Sequence, residues 1–204
     1  PFARYADDFA VFAQSRRAAQ RIMTSVSRYL TDTLHLVVNQ QKSRVVASDE
    51  FDYLGFAFVK SRATINVAAK SIRKFKQRIR EITGRSRGIS MERRLSELRS
   101  YVRGWMGYYG LASQLKLFDR LDRWLRRRIR MCYWKQWRRA RTKVRNLLAL
   151  GTGRRQAVLT AISRKGYWHL SKTLATQTGM TNAWLASQGL LSVRDLWLKA
   201  HGYV

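Results

Sequence analysis

Two adjacent carboxylates, Asp7 and Asp8, interrupt an otherwise apolar and aromatic run, Phe2-Ala3-Arg4-Tyr5-Ala6-Asp7-Asp8-Phe9-Ala10-Val11-Phe12. Phe2 to Tyr5 and Phe9 to Phe12 each read as a short strand, and the break between them suits a tight hairpin. Neighbouring residues of a strand point to opposite faces, so the two charges are spread rather than buried side by side. Even so, a carboxylate pair there costs repulsion and desolvation unless a cation neutralises it. Hard divalent ions such as Mg²⁺ do this with one or two carboxylates and complete their shell from water and phosphate. An acidic turn without chemistry is the plain alternative, because Asp is a favoured turn residue.

Charge divides the chain. Residues 1–65 carry nine basic and six acidic side chains, whereas 66–204 carry 32 basic and six acidic, out of a total net charge of +29. So large an imbalance repels itself in a compact state unless a polyanion offsets it. Nucleic acid is the first candidate and an anionic membrane surface the second. No apolar run approaches the roughly 20 residues that span a bilayer, so no membrane partner is expected. The single cysteine, Cys132, excludes an internal disulfide and a multi-cysteine zinc site, and His35, His169 and His201 lack metal-ligand spacing. The first residue is Pro and it abuts the acidic run; the chain is expected to be the C-terminal part of a longer protein, without a signal peptide.

The balanced segment reads as strand, turn, strand, helix and further strands, an α+β order. Ile22, Val26, Tyr29, Leu30 and Thr33 recur at helical spacing and predict a helix over 18–34. Strands are expected at Leu34–Val38, Arg44–Ala47 and Phe51–Phe58, with a polar turn at Asn39–Ser43 and Gly55 permitting close backbone approach. The basic segment reads as helical. Ser71 is expected to cap a helix running to Thr83 and Ser90 the next, whose stripe is Leu95, Leu98, Val102, Trp105 and Tyr109. A third helix is expected from Gln114 to about Asn146, with thirteen Lys or Arg against two Asp over 116–145. A merely solvated helix would mix signs to gain i,i+4 pairs. Arg126, Arg127, Arg130, Lys135, Arg138, Arg139 and Arg141 are therefore candidate nucleic-acid contacts, with Trp134 and Trp137 as candidate stacking platforms. Gly151-Thr152-Gly153 is too short for a phosphate loop and reads as a flexible linker.

Tyr5-Ala6-Asp7-Asp8 between two apolar strands resembles the palm motif of reverse transcriptases. Leu36-Val37-Val38-Asn39-Gln40-Gln41-Lys42-Ser43 is similar to the motif after that family's catalytic hairpin, and Tyr53-Leu54-Gly55-Phe56 to its primer grip. Further on, Arg99-Ser100-Tyr101-Val102-Arg103-Gly104-Trp105-Met106-Gly107-Tyr108-Tyr109-Gly110 resembles the thumb, or maturase-specific X domain, of group II intron-encoded reverse transcriptases. Leu121–Arg128, Arg164–Ser171 and Trp184–Leu190 are similar to later parts of that domain.

The resemblance implies a partial palm over 1–65, a helical thumb or X domain over 66–150 and a helical extension over 151–204. It implies that Asp7 is the principal Mg²⁺ ligand with Asp8 assisting, both catalytic. Tyr5 and Ala6 would lie near the primer end, Asn39 and Lys42 near the nucleotide, and Leu54 and Gly55 at the primer. Arg99 and Arg103 would join the basic residues above in holding nucleic acid. The implied activity is RNA-templated DNA synthesis together with splicing assistance to a group II intron RNA. The implied partners are that RNA, an RNA template with its DNA primer, and dNTP. A two-metal site of this kind also needs a carboxylate from an earlier palm strand, expected before Pro1, so the chain alone is expected to bind RNA without polymerising. The implied setting is bacterial cytoplasm at the nucleoid, or an organelle. Alternatives are a splicing factor without polymerase activity, a reverse transcriptase of another lineage, and a basic ribosome-associated protein. The oligomeric state is open.

Overall fold

Alternation of aromatic and small residues around Ala6-Asp7 gives the first element of the computed structural model, which describes residues 1–47, 51–59 and 64–203. Strands β1 (Phe2–Tyr5) and β2 (Asp8–Val11) pair antiparallel, with Phe2 opposite Val11 and Tyr5 opposite Asp8. Helix α1 (Arg16–Arg28) starts where the Ser15 side chain accepts from the Ala18 amide, satisfying one of the donors that a first turn leaves open. It runs into a π-helical turn over Tyr29–Thr33, closed by the Leu34 amide bonding the Tyr29 carbonyl. A second, three-stranded antiparallel sheet contains β3 (Asp52–Tyr53), β4 (Phe56–Val59) and β5 (Thr64–Val67).

The chain divides into two compact units, residues 1–68 and 69–204. The first is an α+β unit with few buried side chains, among them Ala10, Val67 and Ala68. Three sequence expectations fail in it. Leu34–Val38 and Arg44–Ala47 are irregular rather than strands. His35 sits at φ +52°, outside the β region, and neither segment has a partner strand among the described residues. Phe51–Phe58 is a hairpin rather than one strand: Tyr53 pairs with Phe56, leaving Leu54 (φ +51°) and Gly55 (φ +80°) as the two turn residues. Two successive positive φ angles match the twist of a hairpin.

The second unit is all helical. Helix α2 (Ala69–Ile82) buries Phe75, Ile79 and Ile82. Ser71 lies inside this helix and bonds the Tyr109 hydroxyl at 3.1 Å, so it is not a cap. Helix α3 (Met91–Tyr109) is capped by Ser90, whose side chain accepts from the Arg93 amide, and buries Leu95, Leu98, Val102 and Trp105 as the stripe requires. Phe75 packs on Trp105 with ring centroids 4.3 Å apart.

The expected third helix is two helices. Helix α4 (Leu115–Gln136) ends at Trp137, and α5 (Ala140–Ala149) starts three residues later. No Gly or Pro marks the break. Packing makes it: Trp134 is fully buried among Leu147, Ala157, Ala161, Leu170 and Ala175, which requires the chain to turn back after α4. Trp134 therefore cannot stack on a base. Helix α6 (Arg154–Ile162) follows, and then the short helices α7 (Tyr167–Leu170), α8 (Leu174–Gly179) and α9 (Asn182–Ser187). Helix α10 (Val193–Ala200) packs on α4 and α3.

Gly151-Thr152-Gly153 is a built helix end rather than a flexible linker. The Gly151 amide bonds the Leu148 carbonyl and the Thr152 amide the Leu147 carbonyl, with Gly151 at φ +85°. This is a Schellman cap. Thr152 is buried and its hydroxyl donates to the Ala175 carbonyl at 3.1 Å.

Candidate metal-binding hairpin and nucleic-acid interface

The Tyr5–Asp8 pair makes Ala6 and Asp7 the two residues of the β1–β2 turn. Ala6 adopts φ +52°, a region that favours glycine, and the Arg4 Nε donates to its carbonyl at 3.0 Å. Asp7 stands at the corner and Asp8 opens β2, both exposed. Two adjacent carboxylates on a short, hydrogen-bonded corner are the oxygen donors a hard divalent cation takes, with open positions left for water and phosphate. The donor set fits Mg²⁺. Among the described residues no group of three or more His, Cys, Asp or Glu side chains is gathered for a metal.

Tyr5 is exposed beside this corner. Asn39 and Lys42 share a separate turn, where the Asn39 Oδ1 accepts from the amides of Gln41 (3.1 Å) and Lys42 (3.2 Å). That side chain shapes the backbone presenting Lys42, a physical reason for their spacing. Leu54 and Gly55 form the β3–β4 turn, and the Gly55 carbonyl accepts from Ala68 at 2.9 Å.

The helical unit sorts its cations into two kinds. Arg130 points inward: it is 7% exposed, its Nε donates to the Met180 carbonyl at 2.8 Å and its guanidinium to Asn182 Oδ1 at 3.1 Å. Burial, with Arg126 adding repulsion, pulls its pKa down to about 10. Arg126 forms a 2.5 Å ion pair with buried Asp122. Arg127 donates to the Trp168 carbonyl at 2.8 Å and lies 3.7 Å over the Trp168 ring, and burial lowers its pKa. Arg99 reaches the Gly189 carbonyl with two nitrogens at 3.3 and 3.4 Å. By contrast Arg103, Lys135, Arg138, Arg139 and Arg141 are solvent-facing, the last four around the α4–α5 break.

Arginines outside the expected set fill the end of α2. Arg94 is buried and donates to the Ile82 carbonyl at 2.6 Å and that of Gly84 at 3.0 Å. Arg128 donates to Thr83 Oγ1 at 2.8 Å. Its pKa is lowered chiefly by burial, with the neighbouring cations Arg80, Arg85 and Arg94 pushing the same way. Cations at a helix C-terminus satisfy its open carbonyls and complement its dipole. The sequence signal for these roles is weak, since an arginine destined for a carbonyl looks like one destined for a phosphate. Tyr167 and Trp168, which gather several cations, were also not singled out by the helix stripes.

An aspartate-tipped hairpin in an α+β unit is thus followed in sequence by a basic all-helical unit, and comparison with known families divides the chain in the same order. Residues 1–58 match the family model described as reverse transcriptase (RNA-dependent DNA polymerase). Residues 72–151 match that of the group II intron, maturase-specific domain. The chain therefore carries a reverse transcriptase segment followed by a group II intron maturase-specific segment, the order expected of a reverse transcriptase–maturase fragment. No curated protein matches it significantly.

Proposed function

We propose that this chain contributes two metal-binding carboxylates to RNA-directed DNA synthesis and binds intron RNA and template–primer through its helical unit. The observation that carries the first part is the hairpin register, which puts Asp7 at the corner and Asp8 one residue on, both open to solvent. Mg²⁺ held by Asp7 and Asp8 would supply positive charge to phosphoryl oxygens. Tyr5 shapes the approach to the corner, and Arg4 restrains the turn through the Ala6 carbonyl. Lys42 lends positive charge toward a dNTP, and the Leu54-Gly55 turn guides the primer strand.

Template–primer and intron RNA share the solvent-facing cations Arg103, Lys135, Arg138, Arg139 and Arg141. They read the duplex by shape and phosphate, because an A-form major groove is too narrow for side chains. Arg126, Arg127 and Arg130 hold the helices that present that surface. The test is dNTP incorporation on a primed RNA template by the full-length protein that contains this segment and the earlier palm carboxylate, wild type against Asp7→Asn, together with Mn²⁺-induced broadening of hairpin amides. Asp7→Asn is expected to abolish incorporation and broadening while leaving RNA binding intact; near-normal synthesis would remove Asp7 from the role. A splicing factor without polymerase activity would bind RNA equally well and show no incorporation.

A further inference from the structure

Three cations from different parts of the helical unit converge on one phenol ring: Arg85, Lys135 and Lys143 lie 5.7, 5.2 and 5.7 Å from the centroid of Tyr167. None of the three forms an ion pair with a carboxylate among the described residues; the ion pairs of this unit involve Arg78, Arg87, Arg93, Arg123 and Arg126. The ring quadrupole compensates part of their charge, but three like charges about one ring still repel and leave room for an external anion. The next residue in the chain, Trp168, is 37% exposed, and the Arg127 guanidinium lies 3.7 Å over its ring. That guanidinium also donates to the Trp168 carbonyl, so the indole is held in one orientation before any ligand arrives.

We infer that Tyr167 and Trp168 form a site for an unpaired nucleotide of RNA: a phosphate among Arg85, Lys135 and Lys143, and its base stacked on the Trp168 indole. This rests on the reading that the helical unit binds RNA, and adds the strand state it prefers. Phosphate pairing alone accepts a duplex as readily as a single strand. An exposed indole is of use only to a base out of its stack, since a paired base has both faces covered. Consecutive residues on α7 present the two halves together, so one nucleotide can span them. The cations come from the loop after α2, from α4 and from α5, so the site exists only when those helices are packed.

The test compares equilibrium binding of a 12-nucleotide uridine oligomer and a blunt 12-base-pair RNA duplex across a salt series. Trp168→Leu is expected to weaken uridine-oligomer binding about tenfold and duplex binding less than about twofold, with Trp168→Phe recovering most of the affinity. Lys135→Gln with Lys143→Gln is expected to reduce the slope of log affinity against log salt for the oligomer by about 0.7 for each phosphate no longer neutralised. Equal weakening on both RNAs from Trp168→Leu, or none on either, would overturn the inference. Displacement of the oligomer by polyglutamate as effectively as by polyuridylate of equal charge would do so too, pointing to an acidic protein partner. Should circular dichroism show Trp168→Leu unfolded, the lysine pair decides, and unchanged oligomer affinity and slope would overturn the site. A wild-type protein that binds neither RNA would instead sink the RNA-binding reading itself.

Discussion

The Tyr53 hydroxyl donates to the main-chain carbonyl of Asp8 at 3.2 Å, tying the β3–β4 hairpin to the one that carries both aspartates. Phe51 reinforces the link, stacked on Tyr53 and Phe58 with centroids 5.7 and 5.8 Å away and edge-on to Phe12 at 6.2 Å. Tyr53→Phe keeps the ring packing and deletes one exposed hydrogen bond. It is expected to cost about 0.5 kcal/mol and to speed hydrogen exchange at the β1–β2 amides. Unchanged exchange there would show that the bond does not restrain the aspartate corner.

Asp122 fastens α10 to α4. Its Oδ1 accepts the Val193 amide at 2.8 Å in the first turn of α10, and it pairs with Arg126. Burial raises its carboxyl above the ordinary value, outweighing the pull of Arg126 and the Val193 amide. Because the folded value exceeds the unfolded one, this group's contribution is fully present below the unfolded value of 3.8 and is lost as pH rises through the folded one. Asp122→Asn keeps an acceptor for Val193 and no longer titrates. Its stability relative to wild type is therefore expected to improve as pH rises through that window. Asp122→Ala leaves the amide unpaired and is expected to cost about 2 kcal/mol. Melting curves of the three proteins at several pH values decide it.

Arg130 and the solvent-facing arginines separate two roles. Arg130→Ala strips the Met180 carbonyl and Asn182 of their donor, with an expected cost of about 2 kcal/mol and no change in the salt dependence of RNA affinity. Arg138→Gln with Arg139→Gln and Arg141→Gln should leave the melting temperature nearly unaltered and lower the salt slope by up to about 0.9 for each duplex phosphate no longer neutralised. A melting temperature that falls only in the second set would reverse the assignment.

Gly179 closes α8 against the Thr152 cap. A Cβ there would lie 2.7 Å from Thr152 Oγ1 and 3.0 Å from Leu147 Cδ2. Leu147 is fully buried and Thr152 is held by the Ala175 carbonyl, so neither has room to yield. Gly179→Ala is expected to destabilise by about 1–3 kcal/mol, read as a lower denaturant midpoint. A neutral effect would show that the loop after α5 is loose.

Much of the helical unit could be read along the chain. The stripe of α3 and the Ser90 cap emerged as their spacing implies, because local periodicity and capping depend on residues within a turn or two. Ser71 misled because its hydroxyl answers to Tyr109, 38 residues away. Leu54 misled because nothing in an apolar run announces a leucine at positive φ; only the Tyr53–Phe56 pairing reveals the turn.

The aspartate hairpin and the basic character of the helices are properties of the sequence by itself, since a tight turn and a net charge are set by adjacent residues and composition. Which cations face outward was decided only by tertiary structure. Leu117, Leu121, Leu125, Ile129 and Trp134 are buried, and so are Asp122 and Arg130, because α4 is covered on more than its apolar stripe. A cation on a covered face of such a helix must find an acceptor indoors. The acceptors came from α2 and α8, some fifty residues away in sequence for Arg128 and Arg130. Among the cations without such an acceptor are those at the α4–α5 break and around Tyr167.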